Sequence, residues 1–284
     1  MKRLYILLVF FFALIMAGEG YAQRSRHNRH RNVHRTHRTY QKKKRGRYVH
    51  RRPARHRRKT WVKPDPTLSD PFYTPLMQCE DTCDHVHGID MSHYQSQVFW
   101  ETIGENTKMA YVYLKATEGS EHIDATYERN IQMAHDNGLL VGSYHFFRPR
   151  IPLDQQLNNF MAQCLPEEQD LIPMIDIETT GGMPIDDFCD SLLIFINMVD
   201  EAYGQKPLLY TYRNFYNKYL IGKISDEYKM MIAMYMPEEP VLADGRDITM
   251  WQYTGTGRIV GVAGYVDKSR FLGNHSLREI KYEH

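Results

Sequence analysis

Eight short apolar runs alternate with amphipathic stretches over most of the chain, and this alternation restricts the possible fold more than any other feature. The runs span 86–91, 109–115, 139–146, 171–177, 207–212, 230–236, 249–253 and 265–271. Between the earlier runs, helical periodicity predicts helices at 125–137, 153–164 and 186–203. Strands that alternate with helices are typical of an α/β fold with a largely parallel sheet.

The ends of the predicted elements refine this fold class. Asp124 is predicted to cap the first of these helices, and Gly138 and Gly204 are predicted to end the first and the third. Beyond residue 236 the connections are too short and too rich in glycine for full helices. The sequence therefore predicts a modified TIM-type barrel whose last units lack helices, with a single folded domain at 85–284.

The first 22 residues have the pattern of a secretory signal peptide. Lys2 and Arg3 precede an apolar run at 4–16, and small residues lead up to a predicted cleavage site after Ala22. The run is shorter than the roughly 20 residues that span a bilayer. We therefore expect export to the periplasm, the cell envelope or the medium. If the segment stays uncleaved it anchors the chain in a membrane, an alternative that the basic segment after it favours.

Charge divides the rest of the chain into two parts. Residues 23–63 contain 18 Lys or Arg, six His and no acidic residue, whereas residues 64–284 contain 16 basic and 33 acidic residues. Segment 23–63 has too few apolar residues to form a core, so it is predicted to be a disordered tail that contacts anionic envelope polymers. Nucleic-acid binding and metal capture by its histidines are weaker alternatives, and no specific nucleic-acid partner is predicted. A proline-containing linker, 64–84, follows.

Four cysteines, Cys79, Cys83, Cys164 and Cys189, follow the basic tail. In an oxidising compartment they predict one or two disulfides, for which three pairings are possible. The spacing of Cys79 and Cys83 lacks a second ligand pair nearby, so a structural role is favoured over a zinc site.

Acidic residues follow several of the predicted strands, where a β/α barrel holds its reactive groups. Asp90, Asp176, Glu178 and Asp267 are thereby predicted to surround one mouth of the barrel. Asp176 and Glu178 are two apart after a buried strand, so their side chains share a face. Two close carboxyl groups cannot both ionise cheaply, and a pKa raised in this way provides the acid that glycosidic cleavage needs.

Aromatic and polar residues at the same strand ends are predicted to bind a sugar substrate, because sugar rings stack on aromatic faces. The predicted substrate-binding residues are Tyr144, Phe147, Tyr210, Tyr212, Trp251, Gln252, Lys115 and Glu118, with Tyr253 as a further aromatic candidate. No metal or organic cofactor is needed for this chemistry.

With these motifs in their order, the sequence resembles the glycoside hydrolase family 25 lysozymes over about residues 85–273. The motifs are HGIDMSHYQ at 87–95, YLKATEG at 113–119, GLLVGSYHFFRP at 138–149, PMIDIE at 173–178, WQY at 251–253 and VD at 266–267. The resemblance implies a barrel of five β/α units followed by three further strands. It also implies hydrolysis of the β-1,4 bond between N-acetylmuramic acid and N-acetylglucosamine in peptidoglycan glycan strands.

The resemblance further implies that Glu178 is the general acid and that Asp176, Asp90 and Asp267 are its acidic partners. Whether Asp176 orients an attacking 2-acetamido group or supports direct inversion by water stays open. Many family members have Trp where this chain has Tyr94, which concerns one stacking contact and no catalytic group.

Two other functions are compatible with the same motifs. The first is a non-catalytic peptidoglycan-binding module that has kept the fold. The second is a zinc hydrolase, because His85 and His87 imitate a metal-binding pair. The later strands carry tyrosines where a zinc site needs more histidines. His85, His87, His93 and His145 are therefore predicted to be hydrogen-bonding or surface residues.

Overall fold

The computed structural model describes residues 85–95 and 97–284. The predicted signal peptide (1–22), basic tail (23–63) and linker (64–84) lie outside these residues. In the described part of the chain, no helix is long and apolar enough to cross a membrane.

The strands form a closed eight-stranded barrel with one short additional strand. Their neighbour order is β1-β9-β8-β7-β6-β5-β4-β2-β3, and a pairing between β1 and β2 closes the barrel and leaves β3 at the edge of β2. The strands are β1 (His87–Met91), β2 (Met109–Glu118), β3 (His122–Ile123), β4 (Leu140–Phe146), β5 (Met174–Asp176), β6 (Leu208–Tyr212), β7 (Met230–Ala233), β8 (Met250–Gly257) and β9 (Val266–Phe271). The predicted modified α/β barrel is confirmed.

Five strands are each followed by a helix. The helices are α1 (Trp100–Gly104), α2 (Tyr127–Asp136), α3 (Leu153–Gln163), α4 (Ile185–Tyr203) and α5 (Arg213–Phe215), which continues into a π-helical turn (Tyr216–Leu220). Residues 221–265, which include β7 and β8, contain no helix. The barrel thus has five β/α units and then three strands. The sequence pattern missed α1 and α5 because five and three residues are too few to show a helical period.

The predicted cap of α2 is wrong. The helix begins at Tyr127 with Thr126 at the N-cap position, and no side chain caps it. Asp124 instead accepts hydrogen bonds from the backbone N–H and the hydroxyl of Thr126, at 3.0 and 2.7 Å. Asp124 also accepts from His93, so it ties the segment after β1 to the start of α2. The predicted stop at Gly204 agrees with a left-handed residue there, with φ of 67°.

The last strand runs against its neighbours. Pairings from β1 through β2, β4, β5, β6 and β7 to β8 are parallel, whereas β9 is antiparallel to both β8 and β1. The amino end of β9 therefore lies at the mouth where the other strands have their carboxyl ends. Asp267, near that amino end, pairs directly with Asp90 on β1.

The barrel interior is filled by alternate residues of each strand, because successive side chains point to opposite faces. On β2, Tyr111 and Tyr113 point inward and are fully buried. The Tyr111 hydroxyl lies 3.1 Å from the Ser269 hydroxyl, and the Tyr113 hydroxyl donates to the Ile172 carbonyl at 3.1 Å. Their rings fill the space above Gly88 and Gly142 that side chains at those positions would occupy.

The outer core packs the helices against the barrel. On α4 the buried residues Phe188, Leu192, Phe195, Ile196, Val199 and Tyr203 recur at helical spacing, which puts them on one face. Phe195 stacks on Phe147 with 5.0 Å between the ring centroids. This outer layer holds the carboxyl ends of β4 and β5 in place.

Cys164 and Cys189 are buried free thiols. Neither takes part in a disulfide, which any pairing of all four cysteines would require, and burial raises the pKa of both thiols. Cys79 and Cys83 lie outside the described residues.

A short 3₁₀ helix, Leu277–Ile280, closes the end of the barrel opposite the mouth. Next to it, His275 Nε2 lies 2.7 Å from Asp247, and His275 Nδ1 lies 2.9 Å from Glu279. Burial alone would lower the pKa of His275, but hydrogen bonds to Glu279 and Asp247 raise it above its ordinary 6.5. Burial would raise the pKa of Glu279, but hydrogen bonds from Lys229 and His275 lower it to about 2.

We expect His275→Gln to lower the melting temperature more at pH 5.5 than at pH 9. Because the folded pKa of His275 is raised, its charge stabilises the fold fully below the unfolded value, about 6.5, and this stabilisation is lost as pH rises through the folded value. Glu279 is ionised throughout this range. For partly exposed ion pairs the expected loss is about 1 kcal/mol, or about 2–4 °C, at pH 5.5 and about half or less at pH 9. Thermal unfolding at the two pH values measures it, and an equal loss at both would contradict this role.

Candidate active site

A cavity of about 370 Å³ opens at the mouth of the barrel. Its walls come from residues at the carboxyl ends of β1, β2, β4, β5, β6, β7 and β8 and at the amino end of β9. The lining residues are Asp90, Met91, Ser92, Tyr94, Gln95, Lys115, Tyr144, Phe146, Met174, Asp176, Glu178, Tyr210, Tyr212, Tyr235, Gln252, Gly255 and Asp267. All four carboxyl groups singled out from the sequence lie in this one cavity.

Asp176 and Glu178 form a pair of interacting carboxyl groups in the cavity. Asp176 is the deeper of the two and only 7% exposed. Burial and the charge of Glu178 raise the pKa of Asp176 well above its usual range. Burial also raises the pKa of Glu178, against hydrogen bonds from the Tyr212 hydroxyl and Asp176. The pair therefore retains a proton at pH values where isolated carboxyl groups have lost theirs.

Asp90 and Asp267 face each other across the β1–β9 pairing. Burial raises the pKa of Asp90 to about 7, with a further contribution from the charge of Asp267. Burial raises the pKa of Asp267 to about 6. Like charges on adjacent strands repel, so this pair adds to the cost of ionising all four carboxyl groups together.

Lys115 supplies a positive charge to the cavity. Its ammonium lies 2.6 Å from Glu118 and is 5.3 Å from the centre of the Phe146 ring. Glu118 also pairs with Arg148, whose guanidinium covers the Phe146 ring at 4.5 Å. Burial would raise the pKa of Glu118, but hydrogen bonds from Lys115 and Arg148 lower it. Glu118 does not line the cavity and contacts Lys115 and Arg148, so its predicted substrate contact stays a prediction.

Two predicted aromatic platforms are also corrected. Phe147 is fully buried against Phe195, outside the barrel wall. Trp251 is 4% exposed, donates its indole N–H to the Met234 carbonyl at 2.8 Å and lies under Arg270. The alternation of side chains along a strand explains both positions. Gln252 points inward on β8, so Trp251 next to it points outward. Phe147 likewise lies on the face opposite to Tyr144. Tyr253 points outward with Trp251 and does not line the cavity.

Five of the predicted substrate-binding residues line the cavity, and their contact with a sugar stays a prediction: Tyr144, Tyr210, Tyr212, Gln252 and Lys115. Sequence reasoning missed Phe146 and Tyr235 as wall residues. Phe146 could have been found from the period of two, since it shares the inward face with Tyr144. Tyr235 follows the end of β7, where the chain is irregular, so strand alternation does not predict whether its side chain points inward or outward.

Tyr94 is the most exposed aromatic side chain of the cavity wall, at 79%. Its ring lies on His93, with 4.2 Å between ring centroids, and His93 is held by Asp124 at 2.7 Å. Position 94 thus presents a tyrosine ring to the mouth of the cavity.

The histidines take the hydrogen-bonding places expected of them. His145 contacts the Thr117 hydroxyl at 2.7 Å and the Gln156 amide oxygen at 3.2 Å, on the outer face of β4. His87 lies on the face of β1 opposite to Asp90, with its Nδ1 3.4 Å from the His85 carbonyl oxygen. Neither His85 nor His87 lines the cavity.

Comparison with known proteins identifies the family to which this barrel belongs. The family model for glycosyl hydrolases family 25 matches residues 89–262, which contain three of the four cavity carboxyl groups. The chain belongs to glycosyl hydrolases family 25. This family 25 enzyme is thus a glycoside hydrolase.

Relatives of known structure or name agree with this assignment. The family 25 domain is similar to YegX of Escherichia coli K12, with 30% identity over 192 residues that cover 66% of this chain and 70% of YegX. It is similar to lysozyme M1 of Streptomyces globisporus, with 28% identity over 203 residues that cover 66% of this chain and 68% of the relative. The crystal structure of a lysozyme from Streptomyces coelicolor matches with a TM-score of 0.63 and 25% identity, over 69% of this chain and 95% of that one.

Proposed function

We propose that this family 25 hydrolase is an N-acetylmuramidase, which cleaves the β-1,4 bond between N-acetylmuramic acid and N-acetylglucosamine in peptidoglycan. The observation that carries the proposal is the buried pair of Asp176 and Glu178 in a cavity with tyrosine walls. Its similarity to proteins named lysozyme M1, autolytic lysozyme and N,O-diacetylmuramidase supports the substrate class.

Glu178 is proposed as the general acid. It is less buried than Asp176, so its carboxyl group is the more accessible of the pair to a sugar in the cavity, and burial raises its pKa above the ordinary value. A protonated carboxyl group in this position gives its proton to the glycosidic oxygen as the bond to the anomeric carbon breaks. The leaving sugar then departs as an alcohol rather than as an alkoxide.

Asp176, Asp90 and Asp267 are proposed as the acidic partners of Glu178. The transition state of glycosidic cleavage carries positive charge at the anomeric carbon and ring oxygen. Carboxylate oxygens that face a cavity of low dielectric stabilise such a charge strongly. Tyr144, Tyr210, Tyr212, Gln252 and Lys115 are proposed to shape the sugar-binding surface.

Export and attachment to the envelope are part of the same proposal. Segment 1–22 has the pattern of a signal peptide, and segment 23–63 has 18 basic residues and no acidic one. The domain that follows is acidic, so the basic segment provides most of the attraction to anionic envelope polymers. Such a signal directs a protein to the compartment that contains peptidoglycan.

The proposal is tested by incubating the full chain with purified peptidoglycan. We expect new reducing ends, and mass spectrometry after borohydride reduction should identify the reduced sugar as muramic acid. Reduced glucosamine at the new ends would indicate a different bond specificity. Binding to peptidoglycan without new reducing ends would instead indicate a non-catalytic module with the same fold.

A further inference from the structure

Gln252 connects three strands of the barrel through its side-chain amide. It points inward from β8, is 3% exposed and donates from Nε2 to Asp90 Oδ2 on β1 at 2.9 Å. Its Oε1 accepts from the Tyr210 hydroxyl at 2.9 Å and from the Tyr235 hydroxyl at 2.7 Å. Tyr210 lies on β6, and Tyr235 follows β7.

These contacts determine which way the amide faces. The two tyrosine hydroxyls donate to the same oxygen, so both acceptor sites of Oε1 are filled. The amide nitrogen must then face Asp90, and an ionised carboxylate is an acceptor only. The amide is thus held at both ends by the protein, and little of its hydrogen-bonding capacity is left for a sugar hydroxyl.

The same contact orients Asp90. Its Oδ2 is engaged by Gln252, whereas its Oδ1 is buried at the cavity wall with no hydrogen-bond partner among residues 85–95 and 97–284. One oxygen of Asp90 is therefore held by Gln252, and the other is enclosed in the barrel wall. A buried acceptor without a partner is costly, so the ionised form of Asp90 depends strongly on the hydrogen bond that Gln252 donates to the other oxygen.

The surroundings of Asp90 oppose its ionisation from several strands. Asp267 on β9 and Asp176 on β5 are acidic, as is Glu178 just after β5, and Tyr111 on β2 and Tyr144 on β4 are neutral phenols. Burial and Asp267 raise the pKa of Asp90 to about 7, and the hydrogen bond from Gln252 acts in the opposite direction. Lys115 on β2 is the cation that lines the cavity in the described part of the chain.

Packing around Tyr235 leaves room for this arrangement only because residue 255 is glycine. A Cβ at Gly255 would lie 3.1 Å from Asp267 Oδ1 and 3.2 Å from the Tyr235 ring. Both distances are shorter than ordinary contacts. Gly255 therefore lets Tyr235 approach Gln252 from the side of the cavity that holds Asp267.

We propose that Gln252, oriented by Tyr210 and Tyr235, is a positioning residue that holds Asp90 in the cavity wall and keeps it ionised. This proposal rests on the proposed muramidase function, in which an ionised carboxylate stabilises the charge that develops on the sugar. It replaces direct substrate binding, predicted for Gln252 from the sequence, with an effect exerted through Asp90.

The experiment compares Gln252→Glu, Tyr235→Phe and the wild-type full chain. Gln252→Glu keeps the size of the side chain and an oxygen for both tyrosines, but it replaces the neutral donor to Asp90 with a second carboxyl group. Tyr235→Phe adds no charge, so it tests the orientation of Gln252 alone. Tyr235→Phe removes one of the two donors at a half-exposed position. Tyr265→Phe is the matched control, because Tyr265 is exposed beside the mouth and its side chain makes no contact with Gln252 in the described structure. Near-UV circular dichroism verifies that each variant is folded.

Two measurements are made on each protein. The pKa of Asp90 is followed by NMR of ¹³C-labelled aspartate carboxyl groups, with Asp90→Asn to assign the signal. The rate of peptidoglycan cleavage is measured as kcat and KM across pH. The NMR titration needs no substrate, so it distinguishes a failure of this proposal from a failure of the proposed function.

We expect Gln252→Glu to raise the pKa of Asp90 by about one unit or more, which leaves about tenfold less of the ionised form at a given pH below it. kcat should fall about tenfold at near-neutral pH with KM changed less than about twofold, and Tyr235→Phe should act in the same direction but less. Tyr265→Phe should leave the pKa of Asp90 unchanged. An unchanged pKa of Asp90 in Gln252→Glu, or a raised KM with unchanged kcat, would overturn the proposal.

Discussion

Glu178→Gln should reduce kcat for peptidoglycan cleavage by about 10³-fold, because general acid catalysis typically contributes 10²–10⁴-fold. Glutamine has nearly the same shape, but it has no acidic proton for the leaving oxygen. KM should change little, since the amide preserves the cavity wall. Initial rates of reducing-end release measure the effect.

A matched control separates the loss of the acid from the loss of a charge. Glu121→Gln makes the same substitution at an exposed glutamate outside the cavity wall, and it should retain wild-type activity. If Glu178→Gln kept more than about one tenth of the activity while Asp176→Asn lost it, the acid role would belong to Asp176. The acid role is assigned to Glu178 because Asp176 is more deeply buried, so that outcome would reverse the two roles.

Gly88→Ala should lower the free energy of unfolding by about 3 kcal/mol, at the upper end of what overpacking usually costs. A Cβ at this position would lie 2.0 Å from the Tyr111 ring. The ring is fully buried and its hydroxyl is hydrogen-bonded to Ser269, so it cannot move aside cheaply. For a domain of this size the melting temperature should fall by about 6–12 °C. Urea unfolding of both proteins provides the free energies.

Gly138→Ala is the comparison that isolates steric overlap from backbone strain. Gly138 has φ of 75°, which disfavours alanine, but no atom would lie within 4 Å of the added Cβ. The strain of a left-handed residue should cost about 1–2 kcal/mol. A loss at Gly138 that equals or exceeds the loss at Gly88 would mean that the barrel interior yields to the extra methyl group.

The positions of the strands along the chain and the acidic residues of the cavity could be predicted from the sequence, because both depend on local patterns. Runs of apolar residues identify strands whatever their neighbours are, and Asp176-Ile177-Glu178 shows by its spacing that two carboxyl groups share a face. Family resemblance then gave the number of β/α units. The short helix α1 and the two-residue strand β3 were not predictable, since they depend on contacts made only after the barrel has closed.

The wall of the cavity was harder to predict for two different reasons. Phe147 and Trp251 have the chemistry of sugar-binding residues and follow or end strands, but alternation with Tyr144 and Gln252 puts both on the outer face. That information was present in the sequence. The hydrogen bonds of Gln252 could not be predicted from the sequence, because Tyr210, Tyr235 and Asp90 come close to it only in the folded chain.

The reversed last strand makes the length of one loop a determinant of the chemistry. Asp267 reaches the cavity through its register against Asp90, and this register is set by the turn that joins β8 to β9, residues 258–265. Deleting or inserting one residue there, with the pairing kept, would put a neighbour of Asp267 in its place and turn its carboxyl group out of the barrel. Changes of two residues would keep the face but slide Asp267 by about 7 Å along the strand. Relatives should therefore differ in the residue types of this loop far more than in the number of its residues.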